Sequence, residues 1–462
     1  MELAELIRDI QLSAHPGALP RLDITEITED SRRVVPGALF AALPGTRTDG
    51  MKFACEAVSR GAAAILAGPS SEPDGVAVPI LRAPQPRQAF ARIAARFYGA
   101  QPKTVAAITG TNGKTSVASF LRQIWAALGY EAASLGTIGI VTSKSEIPLI
   151  HTTPDSATLH KHLAALAANG VTHLALEASS HGLDQYRLDG VRLAAGGFTN
   201  ITRDHFDYHP SFEHYFNAKL RLFRELLPPG APAVIDADSP GADAVTEAAR
   251  QRDLEIWTIG ERGRALALSA VQRRGFRQFL SIRACGRVYD VDLPLPGAFQ
   301  VSNALLAAAF ALALGAEVDG VFAAVSKLKG AKGRLDYVGS TAAGAPVFVD
   351  YAHTPDALVK ALQALRPYAE GRLHVVFGCG GDRDKGKRPQ MGAAAAMHAD
   401  VVYVTDDNPR GEDPASIRKA TMEAAPGAME IAGRADAIAA AISNLKKGDV
   451  LLIAGKGHET GQ

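Results

Sequence analysis

The chain has 462 residues, which is enough for about three domains of ordinary size. A hydrophobic content of 47% with 21% charged residues is typical of a globular protein. The 49 basic and 48 acidic residues nearly balance, so bulk charge supports neither a nucleic-acid partner nor a membrane-surface partner. Three widely spaced cysteines argue against a disulfide framework or a zinc site. Because neither a signal peptide nor an apolar run of membrane-spanning length is visible, we expect a cytoplasmic protein without membrane insertion.

Three blocks follow one another along the sequence. Residues 1–102 mix short apolar runs with turn signals and end in a helical pattern and a linker. Residues 103–331 alternate short apolar runs, including 174–176, 197–199 and 233–235, with helical patterns, which is typical of a parallel α/β sheet. Residues 332–462 repeat that alternation. The sequence therefore predicts an α/β fold with three domains.

A glycine-rich loop of sequence TGTNGKT follows the first predicted strand of the second block and precedes a helical pattern. Its glycines permit close approach of a phosphate, its lysine supplies a positive charge, and the next hydroxyl suits Mg2+. The loop is shorter than the usual phosphate loop, since Ile108 stands in place of the first glycine. A turn with an incidental lysine is the alternative, but the strand before and the helix after favour a nucleotide site. We expect ATP to contact Gly110, Thr111, Asn112, Gly113, Lys114, Thr115 and Ser116.

Polar residues also follow two other predicted strands of this block. Glu177 comes directly after residues 174–176, and His205 lies in the loop after residues 197–199. A parallel sheet places its ligands at the carboxyl ends of its strands, so both side chains can converge on Mg2+. A lone histidine is more often an ordinary loop residue, and Lys219 in its helical stretch has the pattern of a solvated lysine.

Together these segments resemble the Mur ligases of peptidoglycan precursor synthesis, and in particular the MurE type. The matching segments span all three blocks in the family's order: 110–116, 152–155, 177–182, 199–208, Lys219, 350–356, 378–386, 407–410 and 455–459. The resemblance implies an N-terminal α/β domain that binds uridine and a central phosphate-loop ATPase with a parallel sheet. It also implies a C-terminal Rossmann-like domain that binds an amino acid.

The resemblance further implies an ATP-dependent amide ligase that uses Mg2+. ATP would phosphorylate the terminal carboxylate of UDP-N-acetylmuramoyl-L-Ala-D-Glu, and the amine of an amino acid would attack the acyl phosphate. The implied catalytic residues are Lys114, Glu177, His205 and Lys219. The implied metal ligands are Thr115, Glu177, His205 and Lys219, the last as a carbamate, N6-carboxylysine. Further contacts to ATP are implied for Asn303, Arg334, Asp350 and His353.

The resemblance also implies which residues contact the other two substrates. The UDP-N-acetylmuramoyl dipeptide would contact Ser31, Arg32, Thr46, Arg47, Thr48, Thr152, Thr153, Ser179, Gln185 and Arg187. The amino acid would contact Arg383, Asp407, Asn408, Pro409, Arg410, Gly455 and Glu459. In the family the sequence DNPR at 407–410 marks addition of meso-diaminopimelate. An arginine can pair with the distal carboxylate of that amino acid, which L-lysine lacks, and Glu459 suits its distal ammonium.

Two departures from the family pattern are visible. His151 stands where some members have asparagine, and family members continue beyond residues 455–459, so we expect this C-terminal domain to be shortened. The alternatives are an L-lysine-adding relative, another Mur or folylpolyglutamate synthetase-like ligase, and a catalytically inactive nucleotide-binding or scaffold protein. The intact Lys114, Glu177, His205 and Lys219 argue against inactivity. We expect a monomer whose partners are small molecules.

Overall fold

The computed structural model describes residues 1–13, 21–45, 48–69, 75–459 and 461. These residues contain three sheets, of four, eleven and six strands. Each sheet carries helices between its parallel strands, so the predicted α/β fold is confirmed. The domain boundaries placed after residues 102 and 331 stay predictions. Thr46 and Arg47, two of the predicted substrate residues, lie outside the described residues.

The N-terminal sheet consists of four parallel strands in the order β1-β2-β3-β4. Its elements are α1 (Leu3–Leu6), β1 (Glu26–Thr28), β2 (Ala38–Ala41), α2 (Ala54–Ser59), β3 (Ala62–Ala67), β4 (Ile80–Arg82) and α3 (Pro86–Tyr98). Helix α3 begins with Pro86, whose fixed φ suits the first helical turn. The same helix buries Phe90 and Ile93 in the core beside the sheet.

The central sheet has the strand order β15-β14-β13-β12-β11-β10-β5-β9-β6-β7-β8. Its elements are β5 (Thr104–Thr109), α4 (Lys114–Ala127), β6 (Ala132–Gly136), β7 (Gly139–Val141), β8 (Glu146–Ile147), α5 (Ser156–Ala168), β9 (His173–Glu177), α6 (Ser180–Asp184), β10 (Ala195–Phe198), α7 (Phe212–Arg221), β11 (Pro232–Asp236), α8 (Ala242–Gln251), β12 (Glu255–Gly260), β13 (Leu266–Arg274), β14 (Arg277–Ala284), β15 (Arg287–Leu293), α9 (Ala298–Ala313) and α10 (Val318–Val325). Strands β6 and β9 to β12 run parallel to β5, whereas antiparallel hairpins extend both ends of the sheet.

The C-terminal sheet has the strand order β16-β17-β21-β18-β19-β20, and only β16 is antiparallel to its neighbour. Its elements are β16 (Asp336–Ser340), β17 (Pro346–Asp350), α11 (Pro355–Leu365), β18 (Leu373–Phe377), α12 (Lys387–His398), β19 (Val401–Val404), α13 (Pro414–Met422), β20 (Met429–Glu430), α14 (Arg434–Ser443) and β21 (Val450–Ala454).

The central strand β5 shows why the site lies at one edge of its sheet. Ala106 and Ile108 are buried in the core shared with α4 and α9, whereas Val105 and Ala107 are buried in the core on the opposite face. A parallel sheet covered on both faces leaves its strand ends as the place where polar side chains can gather. Within the described residues, no helix combines the length and apolar character needed to span a membrane.

Candidate active site

Three neighbouring strands of the central sheet end at one cavity. Strand β5 lies between β10 and β9, so the loop after β5, the Glu177 end of β9 and the loop after β10 come together. Opposite them lie the segments that follow β17, β18, β19 and β21 of the C-terminal sheet. Residues from both sheets line a cavity of about 780 Å³. The site is therefore built between the carboxyl ends of two parallel sheets.

Most of the predicted site residues meet in this cavity. Its lining includes Thr111, Asn112, Gly113, Lys114, Thr115, Ser116, Thr152, Thr153, Glu177, Ser179, Arg187, His205, Arg334, His353, Arg383, Asp407, Asn408, Arg410, Gly455 and Glu459. Other predicted residues are described but do not line it: Gly110, Gln185, Lys219, Asn303, Asp350, Pro409, Ser31, Arg32 and Thr48.

The loop before α4 has a backbone that only glycine suits at two positions. Gly110 has φ +140°, and a Cβ there would lie 1.9 Å from the hydroxyl of Thr199. Gly113 has φ +92°, and a Cβ there would lie 2.4 Å from the side-chain oxygen of Asn303. Helix α4 begins directly afterwards and directs its unpaired N–H groups to the cavity, which is a favourable place for a phosphate.

Glu177 is held by hydroxyl and amide groups beside this loop. It is 2% exposed. Its carboxylate accepts hydrogen bonds from the hydroxyl of Thr115 (3.0 Å), the backbone N–H of Thr137 (2.8 Å) and the hydroxyl of Thr137 (3.1 Å). A Cβ on Gly136 would lie 2.0 Å from the same carboxylate, so a glycine makes room for it. The hydroxyl of Thr115 and the carboxylate of Glu177 thus present adjacent oxygens, as Mg2+ requires.

Two lysine ammonium groups share one backbone carbonyl. Lys114 donates to the carbonyl of Gly110 at 2.9 Å, and Lys219 donates to the same oxygen at 2.7 Å. Lys219 is 1% exposed, and its Nζ lies 4.5 Å from the ring centre of Tyr215. Burial, followed by the charge of Lys114, holds the pKa of Lys219 well below its usual value. The interpretation of Lys219 as a solvated helix lysine is therefore wrong, because the side chain is buried beneath the phosphate loop.

His205 sits on a strained turn beside Asp204. Its φ is +57°, its backbone N–H donates to Asp204 Oδ1 at 2.9 Å, and its Nε2 lies 3.4 Å from Asp204 Oδ2. Burial lowers the pKa of His205 to about 4, with Asp204 acting in the opposite direction. The imidazole is therefore neutral at neutral pH and has a lone pair for a metal or a proton.

The residues of the C-terminal half that are predicted to contact ATP differ in the partners of their side chains. Arg334 donates to the hydroxyl of Thr115 at 3.2 Å, which joins the two sides of the cavity. His353 contacts the carbonyl of Tyr351 through Nδ1 at 2.8 Å. Asp350 instead accepts from the backbone N–H groups of Leu335 (2.6 Å) and Ala352 (2.7 Å), so its carboxylate fixes the backbone around it. Asn303 is also committed within the protein, because its amide donates to Gln300 Oε1 at 3.1 Å.

The C-terminal side of the cavity presents two guanidinium groups and a carboxylate. Arg410 has φ +52° and donates to the carbonyl of Gly381 at 2.8 Å, while the residue remains exposed. The side chain of Arg383 is 52% exposed and lies 3.4 Å from Asp207. Glu459 accepts from the hydroxyl of Tyr351 at 3.2 Å. This arrangement suits a ligand that carries both a carboxylate and an ammonium group.

A further set of predicted residues surrounds the edge of the cavity near β9. Arg187 donates to the carbonyl of Thr153 at 2.6 Å and to Gln185 Oε1 at 2.8 Å. The hydroxyl of Thr152 lies 3.0 Å from that of Thr137. Ser179 uses its hydroxyl to accept from the backbone N–H of Gly182 at 3.0 Å, which caps α6. These contacts fix the shape of this edge before any ligand binds.

The predicted substrate residues of the first block lie apart from the cavity, in the region of the N-terminal sheet. Ser31 is buried and donates to Glu56 at 3.2 Å. The side chain of Arg32 is 80% exposed and donates twice to Asp30, at 2.9 and 2.8 Å. Thr48 is exposed. None of these three residues lines the cavity described above.

Some lining residues were missing from the predicted site. They include Thr137, Asp204, Asp207, Asp356 and Lys387. Asp204, Asp207 and Asp356 fall inside segments that match the family, so the sequence could have indicated them as site residues. Thr137 lies in the turn between β6 and β7 and had none, because a single threonine in a turn has no distinctive pattern.

Three domain families match consecutive parts of the chain. Residues 23–98 match "Mur ligase family, catalytic domain", residues 108–311 match "Mur ligase middle domain", and residues 333–457 match "Mur ligase, glutamate ligase domain". A curated relative from Bradyrhizobium diazoefficiens is 55% identical over 466 residues, which covers 100% of this chain and 95% of the relative. The chain belongs to the Mur ligase family. The resemblance found in the sequence is therefore confirmed.

The Bradyrhizobium relative is named UDP-N-acetylmuramoyl-L-alanyl-D-glutamate–2,6-diaminopimelate ligase. A solved structure with the same name is 33% identical, has a TM-score of 0.72, and covers 100% of this chain and 94% of that structure. A folylpolyglutamate synthase from Mycobacterium tuberculosis, complexed with ADP and AMPPCP, is 22% identical with a TM-score of 0.65. That likeness covers 78% of this chain and 91% of the synthase, and it shows the fold that Mur ligases share with such enzymes.

Proposed function

We propose that the protein is an ATP-dependent amide ligase that adds meso-2,6-diaminopimelate to UDP-N-acetylmuramoyl-L-Ala-D-Glu in peptidoglycan precursor synthesis. The observation that carries this proposal is a single cavity with a phosphate loop on one side and Arg383, Arg410 and Glu459 on the other. A ligase needs both sides of such a cavity, because one side activates a carboxylate with ATP and the other binds the amino acid whose amine attacks it. The name of the Bradyrhizobium relative supports the same reaction.

The phosphate loop forms the ATP half of the proposed site. Lys114 and the start of α4 offer positive charge to the phosphates, and Arg334 reaches the same place from the C-terminal region. Thr115 and Glu177 would hold Mg2+ through oxygen, with the neutral imidazole of His205 near them. Bound Mg2+ supplies neutralisation of the phosphate charge. The phosphate loop therefore provides the electrostatic environment that phosphoryl transfer requires.

Carbamylation of Lys219 is part of the proposal. A lysine whose pKa is lowered by burial offers a neutral amine. The amine nitrogen attacks carbon dioxide, a nitrogen–carbon bond forms, one proton leaves, and the product is an anionic carbamate. Lys114 donates to the same carbonyl of Gly110, so the carbamate would gain a cation beside it. The resulting carboxylate would supply a further oxygen ligand for Mg2+.

The proposed reaction proceeds in two transfers. The substrate carboxylate takes the γ-phosphoryl group from ATP, and ADP leaves. The amine of the amino acid then attacks the acyl carbon, and phosphate leaves as the amide forms. The protein contributes by holding the three substrates together and shielding their charges. A monomeric protein and a cytoplasmic setting are part of the proposal.

The amino-acid specificity follows from the far side of the cavity. The distal end of meso-diaminopimelate carries a carboxylate and an ammonium group, which Arg410 and Glu459 complement. The distal end of L-lysine carries only an ammonium group, so the guanidinium of Arg410 would lack a partner and would repel that ammonium. The L-lysine alternative is therefore the weaker one on chemical grounds.

Phosphate release with defined amino acids tests the proposal. The protein would be incubated with UDP-N-acetylmuramoyl-L-Ala-D-Glu, ATP and Mg2+, together with meso-diaminopimelate or L-lysine. We expect release that depends on meso-diaminopimelate and falls to background when the nucleotide-linked dipeptide is omitted. If neither amino acid gives phosphate release, the ligase proposal is overturned. If L-lysine is preferred over meso-diaminopimelate, the proposed role of Arg410 is overturned.

A further inference from the structure

A second group of metal-ligating side chains lies outside the cavity. Asp184 ends α6, His209 lies in the loop before α7, and His214 lies in the first turn of α7. One ligand atom from each of these three residues lies within 4.8 Å of the other two. None of the three lines the cavity, and none belongs to the ATP or substrate residues proposed above.

The two histidines approach each other at a distance that fits a shared cation. The Nδ1 atoms of His209 and His214 are 2.9 Å apart. Two nitrogen ligands of a tetrahedral zinc ion are about 3.3 Å apart, so a slight separation of the two rings would make room for a shared ion. The carboxylate of Asp184 approaches the same imidazole, with Oδ1 at 3.7 Å from His214 Nε2. His214 turns Nδ1 to His209 and Nε2 to Asp184, so a rotation of its ring would bring one ligand atom of each residue to one ion.

The surroundings of the cluster leave its ligand atoms ready for a metal. His209 is fully buried, its Nδ1 faces His214, and its Nε2 has no hydrogen-bond partner among the described residues. Asp184 Oδ2 accepts from the hydroxyl of Tyr208 at 2.7 Å, which orients the carboxylate as outer partners do in metal sites. The side chain of His214 is 44% exposed and gives an ion access from solvent.

We propose that Asp184, His209 and His214 form a second cation site that binds borderline divalent ions such as Zn2+. Two imidazoles and one carboxylate favour such ions, whereas Mg2+ prefers a shell of oxygen ligands. Water would complete the coordination on the open side of His214. This site is separate from the oxygen-rich site at Thr115 and Glu177.

The second site is connected to the first through the backbone. The N–H of His209 donates to the carbonyl of His205 at 2.9 Å, and that of Tyr208 donates to the same oxygen at 3.1 Å. The ring of His181 also lies between the two, with its centre 5.0 Å from the ring of His205 and 5.5 Å from that of His209. An ion held by His209 would therefore fix the turn that carries His205.

Calorimetric titration with Zn2+ tests this inference in the presence of excess Mg2+ and without substrates. We expect one tight Zn2+ site per chain in the wild type, and in His214→Ala a loss of affinity on the order of 100-fold. His214 is exposed enough that this change leaves the fold intact. The matched control His398→Ala, at the end of α12, retains wild-type affinity. Equal Zn2+ affinity in the wild type and His214→Ala would overturn the proposal.

Two further variants separate the new site from the Mg2+ site. His205→Ala is expected to keep the Zn2+ titration, because His205 is not one of the three ligands. Tyr208→Phe keeps the ligands but removes the hydrogen bond to Asp184, so we expect affinity to fall about tenfold. Loss of the tight site in His205→Ala with retention in His214→Ala would assign the ion to the catalytic cavity and overturn the second site. Since binding is measured without turnover, failure of the ligase proposal would not affect this result.

Discussion

At the scale of single residues, Glu177 connects the phosphate loop to the neighbouring strand. Its carboxylate receives three hydrogen bonds, from the hydroxyl of Thr115 and from the backbone and hydroxyl of Thr137. Replacement by glutamine keeps the size of the side chain but removes the charge that would hold Mg2+. We expect Glu177→Gln to lower kcat by about 100-fold or more, measured as phosphate release. The exposed Glu213→Gln is the matched control and should retain full activity; equal loss in both variants would contradict the role of Glu177.

Arg410 is the residue on which amino-acid choice depends. Lysine at this position keeps the charge but cannot form two parallel bonds to a carboxylate. We expect Arg410→Lys to raise the KM for meso-diaminopimelate by about tenfold to a hundredfold while the KM for ATP stays near the wild-type value. Arg372→Lys, an exposed arginine of the same sheet region, serves as control. An unchanged KM for meso-diaminopimelate would place the carboxylate contact elsewhere.

The residue scale also shows what the sequence could predict and what it could not. The loop at residues 110–116 was predictable because its glycines, its lysine and the flanking strand and helix are all local. The inward direction of Lys219 was not predictable from the sequence, because α7 packs under the loop that contains Gly110, which lies 109 residues earlier in the chain. Asp350 was predicted as a contact to ATP from its segment, whereas its two backbone partners depend on how residues 335 and 352 fold around it.

At the scale of elements, the first turn of α11 docks against the phosphate loop. Asp356 accepts from the side-chain amide of Asn112 at 3.1 Å and from the hydroxyl of Thr202 at 3.5 Å. These bonds hold α11 against the place where the nucleotide would bind. The ion pair of Asp356 with Lys360 is partly exposed and contributes little.

Replacement of Asp356 tests that docking contact. Each hydrogen bond contributes about 1 kcal/mol, so we expect Asp356→Ala to raise the KM for ATP by roughly 5- to 30-fold, with a smaller effect on kcat. Asp436→Ala removes an acidic residue from the first turn of α14 and controls for the helix dipole. If both variants raise the KM for ATP equally, the contact to Asn112 is not the cause.

Strand ends were the most predictable feature at this scale. The apolar runs at 174–176, 197–199 and 233–235 correspond to β9, β10 and β11, and the polar residues after the first two meet as expected. The antiparallel hairpins at both ends of the sheet were not predicted, because an exposed strand such as β13 lacks a continuous apolar run. Thr137 lies in the turn of one of those hairpins and was missed because a single threonine in a turn has no distinctive pattern.

At the scale of the whole molecule, buried polar groups join regions that lie far apart in the sequence. Gln88 of α3 donates to Asp189 at 2.9 Å, and Arg221 pairs with the same carboxylate at 2.8 Å. His160 of α5 contacts the backbone carbonyl of Asp189 at 3.1 Å and is 1% exposed. A sequence cannot predict such contacts, because partners 29, 32 and 101 residues apart leave no local pattern.

His160 predicts how stability depends on pH. Burial lowers its pKa to about 4 from the usual 6.5. Between these values the unfolded chain binds a proton that the native chain excludes, so the free energy of unfolding falls as the pH drops from 6.5 to 4. We expect His160→Gln, which can still donate to Asp189, to reduce this fall by about 1.4 kcal/mol per pH unit. The measurement is the thermal midpoint from pH 7 to pH 5; an identical fall in both proteins would contradict the neutral buried ring, and His398→Gln is the control.

The central claim is that the two sides of the cavity act on one acyl phosphate. The most direct measurement labels the reacting carboxylate of UDP-N-acetylmuramoyl-L-Ala-D-Glu with oxygen-18 and follows the label by mass spectrometry during turnover with ATP and meso-diaminopimelate. Attack of that carboxylate on the γ-phosphorus predicts that each released phosphate carries one labelled oxygen. Phosphate without label, released at the same rate as amide product forms, would contradict the account.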